Sequence, residues 1–319
     1  MKTFHIKFFD NKKIFFGISI AIMLVGVVLN LIFGTQLDIQ FRGGAVIKYS
    51  YSGTVDQEDV QRLVESQTNK VVSTTVSKSM ADDALSTVSL SFAGTETLSI
   101  DEQQAIETAL SEKYPDAQFN VVESSSINPT MGQEFFLKCM VSILLAAILL
   151  VIYIAFRFKK IGGMSAGVFA ILTLLHDCIM VYFTFIVFRI PLNDSFIAVV
   201  LTILGYSLNG TIIIYDRIRE NRRIMGPKTD IAVLVDTSIN QTFTRSIYTA
   251  LCTFSAVAVV FIVGSIYDLP TVTKFALPMM VGIACGCYSS VCVAGPLYAM
   301  WQKHKANVRA AAVPAAKKK

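Results

Sequence analysis

The chain has 319 residues, of which 53% are hydrophobic and 16% charged. Its mean hydropathy of +0.56 is too high for an ordinary soluble protein. The formal net charge is +5, but the basic residues lie beside long apolar runs, which indicates a membrane protein and not a nucleic-acid-binding one. The composition also gives no support to soluble enzyme chemistry.

Six apolar runs are each long enough to cross about 30 Å of hydrocarbon as a helix. They cover residues 14–33, 135–156, 161–188, 195–215, 246–266 and 275–301. The first run is longer than the apolar core of a signal peptide, about 7–15 residues, and no small-x-small cleavage site follows it. We therefore expect an uncleaved anchor and an α-helical, multi-pass membrane protein with six transmembrane helices.

Lysine and arginine are concentrated at alternate ends of these runs. The residues that show the asymmetry are Lys2, Lys7, Lys12, Lys13, Arg157, Lys159, Lys160, Arg217, Arg219, Arg222, Arg223, Lys228, Lys303, Lys305, Arg309 and Lys317 to Lys319. The positive-inside rule then places both termini, the loop 216–245 and a basic tail at 302–319 on the cytoplasmic side of the cell membrane.

The six cysteines all lie within apolar runs, at Cys139, Cys178, Cys252, Cys285, Cys287 and Cys292. Cys285 and Cys287 have no further metal ligands near them in the sequence. The pattern indicates small residues that pack between helices, with no disulfide framework, metal site or cofactor.

A segment of soluble composition, residues 34–132, separates the first run (1–33) from the membrane region 133–301. It holds 14 acidic and 6 basic residues, a net charge of −8, and we expect it to lie outside the cytoplasm. It contains no histidine, no cysteine and no glycine-rich phosphate loop. An interaction module is therefore the default interpretation.

Within this segment the pattern predicts strand, helix, strand, strand, helix, strand. The strands are expected at 45–51, 71–76, 84–92 and 117–122, and the first helix at 55–68. Thr54 with Gln57, and Ser99 with Glu102, have the spacing of capping boxes before the two helices. Two such halves predict a small α+β domain of the ferredoxin-like type.

The fourth run carries a polar cluster near the middle of the membrane: Tyr206, Ser207, Asn209 and Thr211. It then ends in a charged sequence, Asp216, Arg217, Arg219, Glu220 and Asn221. Polar groups in hydrocarbon cost free energy unless they find partners, so we expect this cluster to face the helix bundle or a water path.

Three ionisable residues are candidates for a proton path. His176 and Asp177 lie near the middle of the third run, where a buried carboxylate beside an imidazole can exchange protons or can simply fix helix packing. Arg245 begins the fifth run. Its side chain can extend to the cytoplasmic surface or point inward as a fixed positive charge.

Several of these segments resemble motifs of the SecD/SecF family of the bacterial Sec export machinery, in its SecF branch. Residues 205–221 are similar to the fourth-helix signature of that branch, and the segment 238–245 is similar to the opening of its fifth helix. The other matching residues are Phe41, Gly43 and Gly44 after the first helix, His176 and Asp177 in the third, and Tyr288, Ser289 and Ser290 in the sixth. The resemblance covers nearly the whole chain.

The resemblance implies a six-helix half of an RND-like transporter that pairs with SecD or a SecD-like half. It further implies a link to the SecYEG channel, indirectly to the SecA motor, to unfolded exported polypeptide and to the proton-motive force. Its membrane helices contact lipids.

Two positions depart from the family pattern. Gln40 stands where the family has an aspartate before Phe41, and Asp38 lies two residues earlier. Gly210 stands where the family's fourth helix has the aspartate proposed to carry protons. Glycine cannot titrate, so Asp177, oriented by His176 and influenced by Arg245, is the remaining candidate carrier.

Three hypotheses follow. The chain is a SecF-type subunit whose proton coupling is altered, or it is a structural half whose partner supplies all ion chemistry. The third hypothesis is a stand-alone or homodimeric RND-like exporter of lipids or small molecules, against which the six helices and the single small outer domain argue.

Overall fold

The structure, a computed structural model, describes residues 6–53, 55–70, 72–78, 85–92, 98–127, 129–158, 163–226, 228–267 and 269–316. In chain order its elements are α1 Lys12–Phe33, α2 Ile39–Arg42, β1 Gly44–Ser52, α3 Gln57–Thr68, β2 Val72–Lys78, β3 Leu85–Phe92, α4 Ile100–Lys113, β4 Asn120–Ile127, α5 Pro129–Arg157, α6 Gly163–Val187, α7 Asp194–Met225, α8 Ile231–Ile266, α9 Pro270–Ser289, a π-helical segment Ser290–Ala294 and α10 Gly295–Ala316.

Six helical spans in this described part are long and apolar enough to cross a membrane, as the sequence predicts. They are α1, α5, α6, α7, α8 and the continuous run from α9 into α10. The apolar windows of α6, α7 and the sixth span are 56%, 50% and 56% buried, against 11%, 6% and 11% for α1, α5 and α8. Helices α6 and α7 and the sixth span therefore form the centre of the bundle. Helices α1, α5 and α8 present apolar surface outward, as lipid-facing helices do. The chain is a multi-pass membrane protein.

The connection after the fourth span is shorter than the sequence suggests. Within the segment 216–245, expected to be a loop, residues 216–225 and 231–245 are helical, because α7 continues to Met225 and α8 already begins at Ile231. Asp230 caps α8 by accepting a hydrogen bond from the Ala232 amide. Arginine and glutamate are good helix formers, so the charged sequence extends α7 beyond the apolar run. The basic tail likewise begins as a continuation of α10 and not as a separate segment.

The four strands form one sheet in the order β2-β3-β1-β4, and every neighbouring pair is antiparallel. Helices α3 and α4 supply buried side chains such as Val60 and Ile106 to a core that includes Ile47 and Leu90 of the sheet. Alternate residues of β1 are buried, which explains the sequence pattern. The segment between the first two spans is therefore a small α+β unit with its own core.

Two details of this unit differ from the sequence prediction, and one agrees. Asp56, not Thr54, caps α3, and Gln57 is the first residue of that helix; Thr54 itself lies outside the described residues. Strand β4 begins at Asn120, three residues after the predicted start, because Ala117 and Phe119 fill the core before it. The capping box of Ser99 and Glu102 is confirmed.

Candidate functional site in the membrane bundle

Asp177 is the centre of a polar cluster at the contact of α6, α7 and α9. Its side chain is fully buried, and its Oδ2 accepts hydrogen bonds from the hydroxyls of Ser207 on α7 and Ser289 on α9. The Ser289 Oγ–Asp177 Oδ2 distance is 2.7 Å. The side chain of Asp177 therefore joins three helices through two hydroxyl donors.

His176 is the other partner of this carboxylate. Its Nδ1 lies 3.0 Å from Asp177 Oδ1, and its Nε2 is buried without a hydrogen-bond partner among the described residues. No lysine or arginine in the described ranges forms an ion pair with Asp177. Buried polar groups need hydrogen-bond partners, and the described residues supply them here through one imidazole and two hydroxyls.

The three motif residues of the sixth span each contact a different helix. The Tyr288 hydroxyl donates to the Phe15 carbonyl of α1 over 2.7 Å, and Ser289 donates to Asp177. Ser290 donates to the Ser207 carbonyl over 3.2 Å. A π-helical segment begins at Ser290, and such segments often occur at functional sites. The motif thus connects α1, α6 and α7.

The fourth-span cluster is only partly joined to Asp177. Ser207 bonds Asp177 directly, and Thr211 donates to Ser290 over 3.3 Å. Tyr206, Asn209 and Gly210 instead line a small cavity between α7, α8 and α9. All these residues lie on one helix, as the sequence predicts, but the structure divides them between the Asp177 cluster and the small cavity.

Arg245 does not join the cluster. Its side chain is exposed on α8 and makes no hydrogen bond or ion pair within the part of the chain that the structure describes. The sequence allowed two orientations of the Arg245 side chain, and in this structure it points outward. A role for Arg245 beside Asp177 therefore has no contact to support it in this chain.

The charged end of α7 forms a junction with α5. Asp216 pairs with Arg157 of α5 and with Arg219 one turn further along α7, each over 3.0 Å. These groups are partly exposed, as expected where helices leave the membrane. Arg157, which the sequence marked only as a basic flank, is thus a specific partner of the motif.

The remaining motif residues connect α7 with α8. Asn221 is buried and donates to Ser238 Oγ over 2.9 Å and to Gln241 Oε1 over 2.7 Å. Arg217 donates to the same Gln241 oxygen and to Glu220. This network fixes the two helices at the end opposite the outer domain, so these residues act as packing contacts there.

The first motif forms the joint between the outer domain and the bundle. Phe41 is buried against Phe135 and Phe136 of α5, with ring centroids 5.8 and 5.2 Å away. Gly43 and Gly44 have φ angles of +78° and +131°. A Cβ on Gly44 would lie 2.6 Å from a backbone oxygen of β3, so glycine is required there.

Gln40, where the family has aspartate, contacts the first turn of α7. Its side-chain oxygen accepts a hydrogen bond from the Asp194 amide over 3.1 Å, whereas the N-cap residue Asn193 makes no side-chain cap. Asp38 caps the short helix α2 by accepting from the Gln40 amide. The joint is thereby tied to the helix that carries Ser207.

Sequence reasoning missed the anchoring of the N-terminal segment. Asn240 of α8 exchanges two hydrogen bonds with the Ile6 backbone, over 2.9 and 2.8 Å, and Asp236 accepts from the Phe9 amide over 2.8 Å. Phe8 and Phe9 are buried. The available signal was the spacing of Asp236 and Asn240, which lie one helical turn apart on α8.

A family model described as "Protein export membrane protein SecD/SecF, C-terminal" matches residues 105–304. The chain belongs to the SecD/SecF family. Family membership accounts for the motifs in the third to sixth spans, all of which lie within the matched region.

Individual relatives agree with this assignment. Protein translocase subunit SecF of Sebaldella termitidis is 31% identical over 94% of this chain and 93% of its own length. Protein translocase subunit SecDF of Bacillus subtilis is 30% identical over 92% of this chain, but the match covers 38% of that protein. A crystal structure of SecDF from Thermus thermophilus, 26% identical, matches with a TM-score of 0.76 over 94% of this chain and 39% of that one. The chain thus spans about two fifths of the SecDF proteins.

Proposed function

We propose that this chain is a SecF-type accessory subunit of protein export, a transport component and not an enzyme. The support is similarity to SecF proteins along nearly the whole of both chains, together with family membership. The structural observation that carries the proposal is the meeting of motif residues from three helices at one buried carboxylate, Asp177. A cluster of this kind inside a membrane bundle is a functional-site candidate by default.

The partner in this proposal is a SecD-like half. SecDF proteins contain a region similar to this chain within a protein more than twice as long. A separate SecD-like chain would supply the remainder, so that two RND-like six-helix halves form one unit. SecYEG, SecA and the unfolded exported polypeptide are the further partners, reached through that unit.

The outer domain is proposed to be ferredoxin-like and extracytoplasmic. Its βαββαβ order and fully antiparallel sheet β2-β3-β1-β4 support the fold, and its net charge of −8 supports the location. Lysine and arginine flank the opposite ends of the spans, which supports cytoplasmic termini. In that position the domain contacts exported polypeptide or the outer domain of the SecD-like half.

Proton coupling in this subunit is assigned to Asp177 with His176. Gly210 cannot titrate, and Asp177 is a fully buried carboxylate in the centre of the bundle. Protonation of Asp177 would weaken the two serine hydrogen bonds, because hydroxyl donors bind a neutral carboxyl less strongly than a carboxylate. The proton would thereby change the contacts of α6 with α7 and α9.

The test is export into inverted membrane vesicles with and without a proton gradient. Asp177→Asn should abolish the stimulation by the gradient while leaving basal export intact. Asp194→Asn is the matched control, since Asp194 lies at the first turn of α7 and bonds only neighbouring backbone through its carboxylate. Membrane levels and capture of the SecD-like partner must be equal in all variants.

Three outcomes separate the hypotheses. Unchanged stimulation in Asp177→Asn, with weaker export after deletion of the outer domain, would favour the structural-half hypothesis over proton transfer at this site. Co-purification from native membranes should yield a SecD-like subunit and Sec channel components. Their consistent absence, with transport of lipids or small molecules by this chain alone, would contradict the SecF-type function.

A further inference from the structure

The segment 6–11, which precedes α1, is fixed against the bundle at the end opposite the outer domain. Asn240 of α8 exchanges two hydrogen bonds with the Ile6 backbone, and Asp236 accepts one from the Phe9 amide. The Phe9 side chain is buried. Contacts with α8 therefore set the position of the Phe9 ring.

Two lysines from distant parts of the chain converge on this ring. Lys12 Nζ of α1 lies 3.9 Å from the centroid of the Phe9 ring, and Lys303 Nζ of α10 lies 5.7 Å from it. Both distances end at the same point, so the two ammonium groups are no further apart than these two distances combined. The face of an aromatic ring carries partial negative charge and attracts each cation. The ring thus gathers two positive charges in one place.

Neither of these ammonium groups forms an ion pair within the part of the chain that the structure describes. Lys12 donates to a backbone carbonyl over 3.1 Å, and Lys303 makes no hydrogen bond to a described residue. Each ammonium group has three donors, so most of the donors remain available to a ligand. The carboxylates of the region have other partners, since Asp10 pairs with Lys7 and Asp236 accepts a backbone amide. The lysine pair therefore favours an anion.

The surroundings of the lysine pair indicate the kind of anion. Ile14 and Ile18, which follow Lys12 on α1, are exposed on the apolar outer surface of the bundle. Trp301, two residues before Lys303 on α10, is also exposed. Tryptophan is enriched where membrane spans meet the headgroup layer. Apolar surface suited to an acyl chain thus adjoins positive charge suited to a headgroup.

We propose that Lys12 and Lys303 form, around Phe9, a binding site for the headgroup of an anionic phospholipid. Their ammonium groups donate to the phosphate oxygens over about 2.7–2.9 Å, as in other charge-assisted hydrogen bonds. The flexible lysine stems allow both groups to turn toward one phosphate. The acyl chains lie along the exposed side of α1. A free phosphate ion carries the same chemistry but gains nothing from this apolar surface, so the lipid is the better ligand.

Native mass spectrometry of the full-length chain, released from detergent micelles that contain dioleoyl phosphatidylglycerol, measures this binding. Lys12→Gln and Lys303→Gln should each weaken binding of the first lipid about five-fold, as expected for loss of one lysine close to an anionic headgroup. Lys13→Gln and Lys305→Gln are the matched controls, because both lysines are exposed neighbours on the same helices and the change in net charge is the same. Successive helical residues point about 100° apart, so Lys13 does not share the direction of Lys12. The controls should leave the affinity nearly unchanged.

Equal weakening by all four substitutions would overturn the proposal, because it would show only a general attraction of the lipid to basic charge. Equal binding of dioleoyl phosphatidylcholine and dioleoyl phosphatidylglycerol to the unmodified chain would overturn it as well. Inorganic phosphate at the concentration of the lipid should leave the bound lipid in place, and displacement would overturn the assignment to a lipid. The measurement requires no transport, so a failure of the proposed function would leave its result standing.

Discussion

The hydrogen bond from Ser289 to Asp177 offers a direct measurement of the charge on the buried carboxyl group. A hydrogen bond to a charged group contributes about 1.5–3 kcal/mol to stability, whereas one between neutral groups contributes about 0.5–1.5 kcal/mol. The Oγ–Oδ2 distance of 2.7 Å and the complete burial of both side chains place this bond where solvent does not weaken it. We therefore expect a coupling energy in the higher range if Asp177 is ionised.

The coupling is obtained from a double-mutant cycle of Ser289→Ala and Asp177→Asn, which cancels the effect of each substitution on its own helix. The full-length protein is unfolded with denaturant in detergent micelles, and helix content is followed by circular dichroism. We expect about 1.5–3 kcal/mol of coupling for a charged carboxylate and about 0.5–1.5 kcal/mol for a neutral carboxyl group.

Ser265→Ala provides the matched cycle, because its hydroxyl bonds only the Phe261 carbonyl of its own helix. Its coupling to Asp177→Asn should be close to zero. A Ser289 coupling of the same size as this control, at every pH, would refute the assignment of Ser289 as a carboxylate partner. A Ser289 coupling of only about 0.5–1.5 kcal/mol would show that the Asp177 carboxyl is neutral.

Two further predictions concern the outer domain. Gly44→Ala should lower the protease resistance of the outer domain much more than Gly53→Ala. Both glycines have positive φ, but only at Gly44 would a Cβ meet a backbone oxygen, that of Phe92 at 2.6 Å. Equal loss of resistance in the two variants would contradict this explanation. The hydrogen bond from Lys70 lowers the pKa of Glu102 from its ordinary value of 4.5. The stability that this ion pair adds is therefore present above pH 4.5 and is lost as the pH falls through the lowered pKa of Glu102 in the folded protein. Lys70→Met should flatten this acid-dependent loss in hydrogen-exchange measurements, and an unchanged pH profile would exclude the ion pair as its cause.

The sequence predicted the outline of the fold because its signals are local. Apolar runs located all six spans, and the spacing of Ser99 and Glu102 located the start of α4. The extension of α7 beyond residue 215 was missed because hydropathy detects the membrane and not the helix, which continues through charged residues. Helix ends in water are set by capping, which the apolar pattern does not contain.

The candidate site was predictable in its members but not in its contacts. The sequence identified all four residues of the cluster as candidates: His176, Asp177, Ser207 and Ser289. Whether their side chains meet depends on the rotation of α6, α7 and α9 about their axes. A single sequence does not specify which faces of three apolar helices meet. Arg245 shows the same limit, since its position at the start of an apolar run allowed two orientations and only coordinates distinguish them.

The anchoring of the N-terminal segment has a consequence for the order of assembly. Ile6 and Asn240 are 234 residues apart, and Phe8 packs against Phe243. During synthesis the first residues leave the ribosome long before α8 exists, so this contact can form only when most of the chain has been made. The segment that precedes α1 is thus among the last parts of this chain to reach its final contacts.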